Sequence, residues 1–138
     1  MGGLDIEIGA YMRRAQQALE VARGNLEGLY WADALSKCYY AMFYAASALV
    51  RTKGLRPSKH SGVVAAVGEH FAKTGLIDPN LHRLLIDMFD ERQIADYEIL
   101  LAITEKRARI GLEAAEQFVI AIRDYLKQAG FLSPETVE

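Results

Sequence analysis

An uncharged stretch in the first half of the chain constrains the fold more than any other feature. It lies within Leu35 to Val50 (LSKCYYAMFYAASALV), and from Cys38 onward it contains no charged residue. Its apolar residues recur at spacings of three and four, which is typical of one face of an α-helix, and aromatic residues occupy the next face. A helix that is apolar on more than one face is typical of the centre of an all-α domain. We therefore predict a buried central helix from about Trp31 to about Thr52.

The rest of the chain predicts further helices and no strands, since no stretch alternates between apolar and polar residues for more than a few positions. Gly24 is the predicted end of the first helix, and the Asp78-Pro79 pair is a typical helix start. The fold prediction is an all-α, antiparallel up-down bundle of four long helices plus a shorter fifth. It forms a single domain over residues 1–138, with a frayed tail at 131–138. The other helices are predicted at about Asp5–Arg23, Lys59–Lys73 and Pro79–Asp96, and from Thr104 to Gly130.

Composition narrows the class of protein. The 138 residues are 51% hydrophobic and 25% charged, which is ordinary for a globular protein that folds as one domain. The net charge of −2 is not that of a basic nucleic-acid binder, so any contact with nucleic acid must come from a local patch. The longest uncharged apolar run is shorter than the roughly 20 residues of a membrane span, and no signal peptide is evident. We expect a cytoplasmic protein without membrane contact.

The residues of common catalytic and metal sites are missing from the sequence. No phosphate-binding glycine loop, HExxH, GxSxG or calcium loop occurs. The single cysteine, Cys38, excludes an internal disulfide and a cysteine-type zinc site. The histidines His60, His70 and His82 do not have ligand spacing with each other. We predict neither a metal nor a cofactor.

The polar group with the clearest functional potential lies at the end of the fourth predicted helix. Arg92 follows Met88 by four positions and Leu85 by seven, which puts a guanidinium on the apolar stripe. Arginine is seldom placed there unless it is paired or faces a cleft or partner. One interpretation is a structural ion pair between Arg92 and Asp96, one turn later. The other is an arginine that holds a phosphate, with Asp96 and Tyr97 beside it.

Two further features are candidates for nucleotide or RNA binding. One is a run of basic side chains in the loop after the central helix, which could contact phosphates or could simply be solvated. The other is Asp33 at the start of the central helix, for which the alternative is an exposed ion pair with Lys37. The basic run consists of Arg51, Lys53, Arg56, Lys59 and His60.

Five segments together resemble the HEPN domain (higher eukaryote and prokaryote nucleotide-binding), and in particular a small stand-alone prokaryotic subfamily. The resemblance covers about Asp5 to Leu126. It implies an antiparallel helical bundle that forms a homodimer. It also implies a frequent partner, a minimal nucleotidyltransferase, in toxin–antitoxin modules. The segments are YWADA at 30–34, CYYAMFYAA at 38–46, SKHSGV at 58–63, FAKTG at 71–75 and ERQIADY at 91–97.

The resemblance also implies site residues. Many HEPN proteins are metal-independent ribonucleases whose signature is an arginine followed a few residues later by a histidine, with each cleft completed across a dimer. Arg92 matches the arginine, but no histidine follows it in this chain, and Asp96 and Tyr97 stand there instead. An aspartate with an ordinary pKa of about 3.9 is ionised at neutral pH and is a poor proton donor. His60 lies in a matching segment and could enter the cleft from another helix. In some HEPN toxins a tyrosine near the motif accepts a nucleotide from the partner, a role that Tyr97 could fill.

Three readings of function remain. The missing histidine favours a dimeric binding module that engages a nucleotidyltransferase and nucleotide or RNA without hydrolysis. The alternative is a ribonuclease toxin in which Arg92, Asp96 and His60 form a variant site. A helical scaffold without a ligand is the third. The residues predicted to contact nucleotide or RNA are Arg92, Tyr97, Asp33, Lys59 and Arg56.

Overall fold

The computed structural model describes the backbone of residues 3–97 and 103–133 and the side chains of 3–90 and 103–133. All the regular structure in these ranges is helical, which confirms the all-α prediction. Four helices are long and one, α3, is short. A π-helical segment, Gly68–Ala72, continues α3 directly. The helices are α1 (Gly3–Glu27), α2 (Trp31–Arg51), α3 (His60–Val67), α4 (Pro79–Tyr97) and α5 (Glu105–Gln128).

Helix boundaries follow local capping chemistry at most of the predicted positions. The Asp78 carboxylate accepts a hydrogen bond from the Asn80 N–H (2.9 Å), and the Thr104 hydroxyl accepts one from the Arg107 N–H (3.2 Å). Gly54 adopts a left-handed φ of 74° just after α2, a conformation that glycine adopts without steric cost. The starts of α4 and α5 and the end of α2 therefore lie where the sequence predicts.

The predicted end of α1 at Gly24 is wrong. The helix continues to Glu27, and only residues 28–30 connect it to α2. Leu26 is 4% exposed and extends the buried stripe of α1 by another turn. Burying a leucine side chain is worth about 1.5–3 kcal/mol, which exceeds the roughly 1 kcal/mol that a glycine costs inside a helix.

Contacts between side chains establish the directions of three long helices. Glu7 contacts Arg51 and Arg14 contacts Tyr44, so α1 and α2 run antiparallel. Helix α5 is also antiparallel to α1, because Arg23 pairs with Glu116 and Gln16 accepts a hydrogen bond from Arg123. It follows that α2 and α5 run in the same direction on α1.

Helix α2 is the centre of the bundle, as its uncharged sequence predicts. It packs against α1, α3, α4 and α5, and every residue from Ala45 to Val50 is buried. Close approach to α5 depends on Gly111, where a Cβ would lie 2.5 Å from a Leu35 methyl carbon. Burial raises the pKa of the Cys38 thiol to about 12.

Candidate functional site

A histidine held by a buried tyrosine lies where α3 begins. The Tyr39 hydroxyl and Nδ1 of His60 are 2.9 Å apart, within hydrogen-bond distance. Tyr39 is fully buried in α2, whereas His60 is half-buried. The ring centroids of His60 and Phe43 are 4.0 Å apart, so the imidazole also packs on an aromatic side chain of α2. Packing and hydrogen bonding thus fix this imidazole on rigid elements.

The same tyrosine contacts the helix that contains the predicted motif. The rings of Tyr39 and Phe89 lie 6.0 Å apart, and Arg92 follows Phe89 by three positions along α4. Tyr39 therefore connects His60 with the turn of α4 that precedes Arg92. The side chains of Arg92, Asp96 and Tyr97 lie outside the described residues, so the predicted Arg92–Asp96 pair stays a prediction.

The hydrogen bond to Tyr39 defines what the imidazole can do. In a neutral histidine one ring nitrogen donates and the other accepts, and the bond at one nitrogen selects the tautomer. If the Tyr39 hydroxyl donates to Nδ1, the ring proton resides on Nε2. If Nδ1–H donates to the hydroxyl, Nε2 is the basic nitrogen. In the first case Nε2–H can donate to an anionic group, and in the second Nε2 can do so only when the imidazole carries a second proton.

The basic run, which extends from the last residue of α2 to the first of α3, is partly neutralised by an acid that is distant in the sequence. A single oxygen of Glu7, from the first turns of α1, contacts both Arg51 (3.2 Å) and Arg56 (2.7 Å). Hydrogen bonding to Arg56 in particular lowers the pKa of Glu7, and the same contact raises the pKa of Arg56. The Arg51 guanidinium also donates to the Leu55 carbonyl and to the Tyr11 hydroxyl, so it has a structural role.

The other predicted binding residues are spread over the surface. Lys59 is exposed and immediately precedes His60 at the start of α3. The Lys53 ammonium lies 5.4 Å from the centroid of the Phe71 ring, on another part of the bundle. Asp33 and Lys37 are both exposed on α2, and no ion pair joins them among the described contacts. Lys59 is therefore next to His60 only as its neighbour in the chain, and Asp33 lies at the start of α2.

A groove between α1 and α2 contains residues that the sequence analysis missed. The Arg14 guanidinium donates to the Tyr44 hydroxyl (3.0 Å) and lies 4.9 Å from the centroid of the same ring. Lys37, Tyr40 and Gln17 also line this groove, whose volume is about 420 Å³. Arg14 falls outside the apolar stripe of α1. The antiparallel register of α1 and α2 would have been needed to place it beside Tyr44.

The described residues contain neither a metal-binding cluster nor a membrane-spanning helix. No group of three or more histidine, cysteine, aspartate or glutamate side chains is arranged to hold a metal ion there. None of the described helices combines the length and the apolar character that crossing a bilayer requires.

The helical bundle belongs to a class of proteins that comparison with known proteins defines. The family model of the HEPN domain matches residues 8–125, and the chain belongs to this family. A UPF0332 protein of Thermotoga maritima is 37% identical over 117 residues, which are 85% of this chain and 89% of the relative. Two proteins of Methanocaldococcus jannaschii bear the name "Putative toxin". One is 30% identical over 129 residues, which are 94% of this chain and 88% of the relative. The other is 35% identical over 122 residues, which are 88% of this chain and 90% of the relative.

Proposed function

We propose that this protein is a homodimeric HEPN module that binds nucleotide or RNA and pairs with a minimal nucleotidyltransferase in a toxin–antitoxin-type system. Membership of the HEPN family supports the nucleotide or RNA ligand. The toxin names of the two archaeal relatives support the toxin–antitoxin setting. The family resemblance of the sequence motifs supports the dimer and the nucleotidyltransferase partner.

The observation on which this proposal rests is the contact of Tyr39 with both His60 and Phe89. It joins the start of α3 to the part of α4 where the family's arginine, Arg92, lies. A guanidinium binds phosphate oxygens with paired N–H donors, and an imidazole can add a further donor. Lys59 contributes a positive charge next to His60. These groups fit the phosphate backbone of RNA or the phosphates of a nucleotide.

Binding without hydrolysis follows from the side chains that come after Arg92. No histidine follows it, and Asp96 stands where a proton donor would be needed. An ionised aspartate does not donate a proton to a leaving 5′-oxygen, and a neighbouring arginine favours the ionised form. The site therefore retains phosphate recognition and lacks the usual general acid.

The proposal is tested by measuring the affinity of the purified protein for a fluorescent single-stranded RNA. Arg92→Ala should weaken binding about tenfold, as expected when a close cation–phosphate contact is lost. The matched control is Arg83→Ala, because Arg83 is exposed on α4 and lies nine positions away, on the opposite face. Arg83→Ala should stay within about twofold of the wild type. Absence of wild-type binding up to about 100 µM, the weak end of non-specific nucleic-acid affinities, would overturn the proposal.

The partner is tested separately by co-purification with a small nucleotidyltransferase, which this proposal expects a neighbouring reading frame to encode. We expect the two proteins to elute together and nucleotide transfer to modify Tyr97. Tyr97→Phe should abolish the modification while it leaves the complex intact. Continued modification of the Tyr97→Phe protein would exclude Tyr97 as the acceptor, and failure to co-elute would exclude the partner.

A metal-independent ribonuclease is the second candidate, and the fixed imidazole of His60 favours it. In this alternative Arg92 stabilises the phosphate, and His60 replaces the missing histidine from another helix, with Asp96 beside them. RNA cleavage by the wild type in EDTA, abolished by Arg92→Ala and by His60→Gln, would select this candidate. RNA binding without cleavage would select the binding module, and the lack of both would leave the helical scaffold.

A further inference from the structure

The groove between α1 and α2 has the composition of a site for single-stranded nucleic acid. Arg14 and Lys37 supply two positive charges, and no acidic residue is among the described residues that line it. Tyr40 and Tyr44 add two aromatic rings. Proteins that bind single strands combine cations for the backbone with aromatic rings on which bases stack. The volume of about 420 Å³ lies in the range of ligand-binding clefts.

The aromatic rings of this groove form a continuous path to His60. The centroids of Tyr44 and Tyr40 are 6.2 Å apart, and those of Tyr40 and His60 are 6.3 Å apart with the rings nearly perpendicular (88°). Tyr40 and Tyr44 are one turn apart on α2, so their rings succeed each other along the helix. A strand lying in the groove would therefore lead directly to the candidate site at His60.

A second copy of the chain fits this groove less well than RNA does. The fully buried centres of protein–protein interfaces are depleted in lysine but enriched in arginine and tyrosine, so Lys37 is the groove residue that fits such a centre least. Here Lys37 and Arg14, both exposed, line the groove together with the amide of Gln17. Phosphates satisfy two exposed cations without the desolvation that a packed protein interface imposes.

We propose that the α1–α2 groove is a second RNA-contacting site, in which Arg14 and Lys37 hold backbone phosphates and a base packs on Tyr40. This inference rests on the proposed RNA binding and extends it away from the family motif. The groove guides a single strand toward His60 and Arg92. It adds length to the bound segment and gives the protein a preference for single-stranded over double-stranded RNA, because only unpaired bases can stack on a side chain.

The test compares the double variant Arg14→Ala/Lys37→Ala with Arg13→Ala/Lys73→Ala. Both variants lose two charges, but Arg13 and Lys73 are exposed residues outside the groove. Affinity for a fluorescent single-stranded RNA is measured at several salt concentrations. Loss of two phosphate contacts should lower the slope of log affinity against log salt by about 1.4, and should weaken binding at least tenfold at low salt. The control pair should change the affinity by less than about threefold.

A second pair of variants measures what the Tyr40 ring contributes to RNA affinity, separately from the two charges. Tyr40→Leu should weaken binding about fivefold, and Tyr40→Phe should keep near wild-type affinity because the ring remains. If the wild type binds RNA tightly and the two double variants have equal affinities for it, the proposal that RNA binds in the groove is overturned. The proposed function is then left intact. A wild type that binds no RNA would overturn both. Light scattering shows whether Arg14→Ala/Lys37→Ala converts a dimer to a monomer. That result would also overturn RNA binding in the groove, because the groove would then be a protein interface.

Discussion

Tyr39 and His60 are joined by a hydrogen bond of 2.9 Å between a fully buried hydroxyl on α2 and the imidazole that begins α3. A buried polar group in such a bond is costly to leave without its partner. The bond therefore couples the central helix of the bundle to the candidate site. The same tyrosine ring contacts Phe89 on α4, so one side chain connects three helices at this point.

Removal of the Tyr39 hydroxyl should lower the free energy of unfolding. Tyr39→Phe leaves the ring in place but removes the hydroxyl that contacts Nδ1 of His60, so the free energy of unfolding should fall by about 1–2 kcal/mol. Tyr30→Phe is the matched control, because Tyr30 is 62% exposed and the change should stay below about 0.5 kcal/mol. Urea unfolding of both variants measures the difference. A Tyr39→Phe protein as stable as the wild type would show that the bond contributes nothing net.

Two helical glycines should respond in opposite ways to alanine. At Gly111 a Cβ would meet the buried Leu35 side chain at 2.5 Å, and overpacking of this kind costs about 1–3 kcal/mol. At Gly24 a Cβ has nothing within 4 Å, so Gly24→Ala should stabilise α1 by about 0.5–1 kcal/mol through helix propensity. Thermal unfolding of the two variants provides the comparison. Stabilisation by both substitutions would mean that α2 and α5 are farther apart than described.

The thiol of Cys38 should be unreactive in the folded protein. Burial raises its pKa to about 12, so the nucleophilic thiolate is scarce at pH 8 and the sulfur is also shielded from reagents. A thiol reagent should label the native protein very slowly and the urea-unfolded protein within minutes. Because burial disfavours the thiolate, the free energy of unfolding should fall as pH rises from the ordinary thiol pKa toward 12. Rapid labelling under native conditions would contradict the buried position of Cys38.

The contact of Glu7 with Arg56 and Arg51 predicts a pH dependence in the acid range. The pKa of Glu7 is lowered in the folded protein, so its contribution to stability is present above the ordinary glutamate pKa and is lost as pH falls through the lowered value. The difference in unfolding free energy between wild type and Glu7→Gln should therefore be larger at pH 7 than at pH 3. Glu20→Gln, an exposed change elsewhere on α1, should show a much smaller dependence. If wild type and Glu7→Gln differ in unfolding free energy by the same amount at pH 7 and pH 3, the ion pair of Glu7 is not the cause of that difference.

Much of the fold could be predicted because it is encoded locally. The uncharged sequence before Val50 predicts the central helix, and the capping residues Asp78 and Thr104 mark helix starts. The predicted end of α1 at Gly24 is wrong because the cost of a glycine in a helix is small compared with the gain from burying Leu26. Such a balance depends on tertiary packing, which a local pattern does not contain.

The candidate site was less accessible to sequence reasoning because it depends on contacts between distant residues. The partner of His60 is Tyr39, 21 positions away, and the acid beside Arg56 is Glu7, 49 positions away. The basic run therefore seemed free of acids, although α1 supplies one. Arg14 was missed for the same reason, since only the register of α1 against α2 places it on Tyr44.

The most direct test of the account is photochemical crosslinking of a single-stranded RNA that contains 4-thiouridine, followed by identification of the modified peptides. We expect crosslinks in the α2 segment around Tyr40 and Phe43 and in the α4 segment around Arg92, with a reduced yield in Arg92→Ala. Arg83→Ala should leave the yield unchanged. Crosslinks confined to the far side of the bundle, such as the exposed face of α5, would contradict the account.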